Sequence, residues 1–168
     1  PIIGSTRAFA AYLSGQQIDG RSWQGPFEAI AGAASGLAIG DQFQPSHGRG
    51  DAVTEMAHDE VFTVVGPLPR TGTPWDRAIL VPVEAVWIVH GLATGHAPEN
   101  AGQIGPPFDA DYFPGTPAII VKAKELWANY ALHSEFNRQN ETMAFFPATV
   151  LSELYRVMGD VRQAMSVM

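Results

Sequence analysis

The sequence predicts a mixed α+β domain, an α/β-type alternation of short strands and helices with a β-rich section inserted. Three observations predict it. Short apolar or β-branched runs at 27–31, 61–65, 78–81 and 118–121 are separated by stretches of helical periodicity. The 17 glycines and 13 prolines break the chain into segments too short for a bundle. Hydrophobic residues make up 46% and charged residues 16% of the 168 positions, enough apolar material for a core and too little charge for a disordered tail. Strand–helix alternation argues against a bundle or a sandwich.

Taken in order, Ile2 and Ile3 predict a strand end, and Ser5 caps a turn of helix carrying Phe9, Tyr12 and Leu13. Residues 15–25 read as loop. Residues 27–31 form a buried strand ended by Gly32, and 33–37 make one or two helical turns stopped by Gly36 or Gly40. Residues 44–60 are polar and glycine-bearing, a long loop or loose hairpin. The run 61–65 is a strand closed by Gly66-Pro67, and three prolines with Gly72 make 67–75 a rigid turn. Residues 78–81 form an apolar strand. Pro82 occupies the first turn of a helix over 83–90, where its missing N–H costs little, and Glu84 lies near the positive end. Residues 91–117 read as a polar surface excursion and 118–121 as another buried strand. A helix over 122–138 carries Leu126, Trp127, Tyr130 and Ala131 on one face, and 143–146 form a last strand.

The final segment has the clearest pattern. Leu151, Leu154, Met158, Val161, Met165 and Met168 are spaced 3, 4, 3, 4, 3. That 3.5-residue period is the seam of a supercoiled helix, against the alternative of an ordinary amphipathic helix on its own domain. Glu153, Arg156, Asp160 and Arg162 or Gln163 take the other side, and the methionines make the seam adaptable. The chain opens on Pro1 without a signal-peptide pattern, contains no 18-residue apolar run, and closes inside this helical pattern. A fragment of a longer chain is expected.

The net charge of −7, from 10 basic and 17 acidic residues, argues against a nucleic-acid partner, which needs clustered cations. With no cysteine, disulfide scaffolds, thiol nucleophiles and the usual structural zinc sites are excluded. Histidine is the remaining metal-ligand chemistry. His47 and His58 share a polar loop with Asp51, Asp59 and Glu60, a mixture of imidazole and carboxylate that suits zinc, with His90 and His96 as further ligands. None has the i, i+4 spacing of a helical metal motif, so solvated loop histidines are the competing reading. Ser35 is not in a G-x-S-x-G elbow, and Ser46 beside His47 is no nucleophile–base pair. Asp76 and Arg77 read as a turn ion pair or strand-start cap. Gly48-Arg49-Gly50-Asp51 is not a nucleotide loop, and Asn140-Glu141-Thr142 is a sequon that matters only in a eukaryotic secretory pathway. Trp75, Trp87 and Trp127 read as core anchors.

The order of these elements resembles the periplasmic core domain of MacB/FtsX-type ABC transporter permeases. Gly20-Arg21, with Trp23 at the aromatic position, is similar to the family's G-R-x-F loop, and residues 28–32 to its V-V-I-G strand. Ile39-Gly40-Asp41 resembles the D-P-I-G region without its proline. Phe62-Thr63-Val64-Val65-Gly66 matches F-x-V-V-G, and residues 76–82 resemble the D-x-x-I-x-V-P strand that precedes the helix with Trp87. Residues 118–121 with the Leu126 helix resemble the later strand–helix unit, and the seam helix lies where the family's second transmembrane helix is entered. The resemblance covers most of 15–168. It implies a β-rich lobe over about 15–82, a porter-like strand–helix lobe over 83–146 and a stalk helix over 147–168. It implies an extracytoplasmic domain of a bacterial inner-membrane permease that is not an enzyme and holds no cofactor; the alternative, read from the residues, is a periplasmic metal-binding or metal-dependent hydrolytic domain using His47 and His58, with zinc as the ion. ATPase activity is expected on a cytoplasmic subunit or domain. A permease homodimer and a periplasmic adaptor, substrate-binding or cargo protein are the expected partners, in efflux, lipoprotein release or envelope signalling.

Overall fold

A computed structural model describes residues 1–15, 20–46 and 58–166. Its elements are β1 (Ile2–Ser5), α1 (Arg7–Leu13), β2 (Glu28–Ala31), β3 (Gln42–Phe43), β4 (Phe62–Pro67), β5 (Ile79–Pro82), α2 (Val83–Val89), α3 (Leu126–Phe136) and α4 (Pro147–Ser166). Helices together with one mixed sheet make the fold α+β. Its contacts divide the chain into two compact units, Pro1–Thr116 and Pro117–Met168.

In the first unit the five strands run in the order β1-β5-β2-β4-β3. β1 is parallel to β5 and β2 to β4, whereas β2–β5 and β3–β4 are antiparallel. Alternation along the two central strands sorts side chains to opposite faces. Ile30 and Leu80 join Ala10 and Leu13 of α1, with Trp23, Leu68 and Ile104, in one apolar cluster. Ala29 and Val81 join Ala85, Val86 and Val89 of α2, with Phe62, in a second. The sheet is therefore covered by α1 on one face and α2 on the other. Gly4 lets α2 sit close on β1, since a Cβ there would meet Val86 Cγ2 at 2.6 Å.

The expected strands at 27–31, 61–65 and 78–81 are β2, β4 and β5, and the expected helix at 83–90 is α2. Other expectations are corrected. Ile2 and Ile3 belong to a full strand, and Thr6, not Ser5, caps α1 by accepting from the Phe9 amide. Residues 33–37 are turn rather than helix. The amides of Gly32 and Ala34 bond across to Ala78 O (2.8 Å) and Asp76 O (2.6 Å) and not within the segment. Pro82 ends β5 and is the N-cap residue of α2, not part of its first turn. Residues 91–117 are not simply a polar excursion: Ile104 and His96 are buried, and Phe108 and Phe113 pack edge-on against Trp87 at 5.3 and 5.4 Å.

In the second unit, residues 118–121 form no strand. Ile119, Ile120 and Val121 are 77, 69 and 58% exposed. The helix expected from 122 starts at Leu126. Residues 143–146 form no strand either, because the Asn137 side chain takes both backbone groups of Ala144, donating to its oxygen at 2.9 Å and accepting from its nitrogen at 3.1 Å. α4 covers 147–166 of the expected seam helix, with Leu151, Leu154, Met158, Val161 and Met165 exposed along one stripe; Met168 lies outside the described residues. No described side chain of this unit is buried. Among the described residues, no helix is long and apolar enough to cross a membrane.

Candidate functional site

α2 carries the chemistry of the first unit at both ends. At its start, Glu84 faces inward within the apolar run V-E-A-V-W-I-V and is 1% exposed. One carboxylate oxygen, Oε1, accepts from the Gly105 amide at 2.5 Å and stands 3.6 Å from His96 Nε2. That gap is too long for a hydrogen bond. Glu84 Oε2 and His96 Nε2 are buried without a hydrogen-bond partner among the described residues. A buried acid and imidazole of this kind carry a large desolvation cost, offset only in part by the Gly105 amide. The bond from the Gly105 amide to Glu84 ties the chain at Gly105 to α2, and the Phe108 ring stands 5.4 Å from that of His96.

At its end, α2 stops at His90, whose Nδ1 lies 2.6 Å from Val86 O. The His58 ring stands 5.3 Å from the His90 ring at 66°. His58 is held in place by its own backbone, its amide donating to Pro45 O at 2.9 Å. Two of the four sequence-predicted metal residues, His58 and His90, are thus brought together, although 31 residues lie between them. His96 is placed instead with Glu84. His47 lies outside the described residues. Among the described residues, no three His, Asp or Glu side chains gather closely enough to hold a metal ion.

Two acidic side chains do structural work. Glu28 takes both guanidinium nitrogens of Arg21, with Nη1 at 2.7 Å and Nη2 on the other oxygen. It also accepts from the amides of Gln24 (2.5 Å) and Gly25 (3.3 Å). The Arg21 bonds, with these amides, hold its carboxyl at about 2 against the opposing effect of burial. Asp76 accepts from the Thr71 hydroxyl (2.6 Å), the Thr71 amide (2.7 Å) and the Gly72 amide (3.0 Å). The Thr71 hydroxyl is the main reason its carboxyl lies below the ordinary carboxylate range. Asp76 therefore organises the 71–77 turn through amides and a hydroxyl.

Sequence reasoning missed the Glu84–His96 pair and the Arg21–Glu28 pair. One signal was present for the first. A carboxylate in a seven-residue helix that is otherwise apolar has to be either buried and bonded or exposed at the cost of the apolar face. Comparison with protein-family models, with curated proteins and with solved structures returns no match.

Proposed function

We propose that this chain is the extracytoplasmic domain of a MacB/FtsX-type ABC permease, and that it relays ATP-driven motion to a periplasmic partner or cargo without bond chemistry of its own. The supporting observation is the second unit. It exposes Ile119, Ile120, Leu126, Trp127 and the apolar stripe of α4, and buries none of its described side chains. An apolar stripe with a 3.5-residue period is made to lie along another helix, and helices packed in that way shift as rigid units. Three of the stretches quoted for the resemblance, 28–32, 62–66 and 76–82, include β2, most of β4 and β5.

In this reading the ATPase is a cytoplasmic subunit or domain, the permease is a homodimer, and the first unit offers its acidic surface to an adaptor or cargo protein. Efflux, lipoprotein release and envelope signalling are the processes it fits. The test is on the full-length gene product. Membrane fractionation should place it with the inner membrane, and it should co-purify with an ATPase. Cysteine pairs introduced at Leu154 or Met158 should crosslink to different extents with and without nucleotide. A full-length product that fractionates as a water-soluble protein, with no hydrophobic anchor, overturns the proposal.

A further inference from the structure

The geometry points to a proton-operated strap: residues 91–116 close over α2 while Glu84 and His96 hold one proton between them, and loosen when that proton is lost. Ties to both α1 and α2 attach this segment. The Gly105 amide donates to Glu84 Oε1 at 2.5 Å. Arg7 Nη1, on α1, donates to Ile104 O at 3.3 Å. Phe108 and Phe113 pack edge-on against Trp87. The first tie is the one that an ionisable pair controls.

Counting protons on the pair shows why. Glu84 is 1% and His96 4% exposed. With no ionisable proton on either, a buried carboxylate keeps one hydrogen bond, and its Oε2 has no partner among the described residues. With two, a buried imidazolium faces a neutral acid. Either state buries a charge that nothing balances. One proton makes the pair neutral overall, and it lets the 3.6 Å gap between Oε1 and Nε2 close to a charge-assisted hydrogen bond of about 2.7–2.9 Å. The other charged or titratable groups around the pair are exposed: Arg7 on α1, His90 at the end of α2, and Glu99, Asp109, Asp111 and Tyr112 of the strap. Among the described residues, none of them is hydrogen-bonded or ion-paired to Glu84 or His96, and no cluster able to hold a metal ion includes either residue.

A solvated carboxyl and imidazole together hold one proton between about pH 4.3 and 6.5. In that window the strap closes without exchanging a proton. Above it the open strap has released the proton and closing must take it up again, so closure weakens with rising pH, by up to about 10-fold per pH unit. Glu28 and Asp76, both held below the ordinary carboxylate range, stay ionised throughout and contribute nothing to this slope. The strap stands independently of the permease reading.

The test is amide hydrogen exchange of the 168-residue chain by NMR, corrected for the intrinsic exchange rate at each pH. The amides of Gly95, Gly105 and Asp109, bonded to Tyr112 O, Glu84 and Gly95 O, report closure. Their protection should fall roughly 10-fold or more from pH 6 to 8.5, while that of Leu80, in the central sheet, should not follow it. His96→Gln, which cannot take the proton, should give a flat profile. Glu84→Gln keeps an oxygen for the Gly105 amide but leaves an imidazolium unbalanced, so its protection should instead rise from pH 5 to 7. A flat profile in the unmodified chain overturns the proposal whether or not the variants fold. So does a slope that survives His96→Gln, or one that keeps its sign in Glu84→Gln.

Discussion

Gly32→Ala should be among the most damaging small substitutions in this chain. Gly32 follows β2 and passes directly beneath the backbone of residues 75–78. A Cβ there would lie 2.6 Å from Asp76 O and 2.7 Å from Ala78 O, and closer still to Trp75 O. Ordinary contact needs about 3.5 Å, so the segments must part by ~0.8 Å or more. All three obstacles are backbone carbonyls, and none can turn aside as a side chain would. Separation strains two hydrogen bonds, Gly32 N–H to Ala78 O and Ala34 N–H to Asp76 O. Each is worth ~1 kcal/mol, and overpacking adds about 1–3 kcal/mol. Against this, alanine reduces the freedom of the unfolded chain by about 0.4–1 kcal/mol. The net loss is ~2–4 kcal/mol, a large part of the 5–15 kcal/mol typical of a domain. Urea unfolding followed by far-UV circular dichroism measures it. The midpoint should fall by roughly 1–2 M with the slope unchanged. A loss below about 1 kcal/mol would show that the 75–78 segment yields freely and that the packing argument is wrong.

Three further outcomes follow from the same contacts. The Glu28 carboxyl is held at about 2, below its ordinary 4.5, so the native state binds its proton less readily than the unfolded chain. Its stabilisation is complete above pH 4.5 and is lost as pH falls towards 2. Because the Arg21 side chain is 45% exposed, solvent screening leaves roughly 1 kcal/mol or less, and Glu28→Gln should flatten the acid limb of a stability–pH curve by that amount. Gly159→Ala, in α4, meets nothing within 4 Å and should stabilise that helix by about 1 kcal/mol through propensity alone, read as a gain in helical circular dichroism. Trp87→Ala removes the surface on which Phe108 and Phe113 pack; it should cost about 3–5 kcal/mol in thermal unfolding and open residues 91–116 to limited proteolysis.

The first unit was largely legible because its three inner strands, β5, β2 and β4, are paired on both sides. β5 is paired with β1 on one side and β2 on the other. Such a strand reads as an unbroken apolar run, and Ile79-Leu80-Val81 does. The helix after it was legible for the same reason, since Ala85, Val86 and Val89 meet the sheet with helical spacing. What the sequence hid was set by distant partners. Residues 33–37 contain good helix formers, yet the Ala34 amide goes to the distant Asp76 carbonyl, and the Gly32 amide just before the segment to that of Ala78. Residues 91–116 look polar because Gly and Pro are frequent, and nothing local reveals that Ile104 is buried or that Phe108 and Phe113 pack on Trp87. The candidate site divides in the same way. Histidine type drew attention to His58 and His90, but their juxtaposition depends on the path of the chain between β3 and α2, which no spacing rule supplies.

The same limit explains the error at 118–121 and gives it a meaning. Ala118-Ile119-Ile120-Val121 is as apolar as β5, and by composition the two runs are equivalent. They differ in what lies beside them. β5 is bonded on both edges, whereas 118–121 is not a strand of the sheet, and its three large side chains are more than half exposed. Apolar character marks surface that is favourably removed from water, and it does not specify which molecule removes it. α4 follows the same rule: its stripe has the period of a helix–helix seam, and its described side chains are exposed. Counting apolar residues therefore overestimates how much of this chain forms its own core. The excess is concentrated in 117–168, which is where a reading of the chain as a force-transmitting domain needs apolar surface that other helices cover.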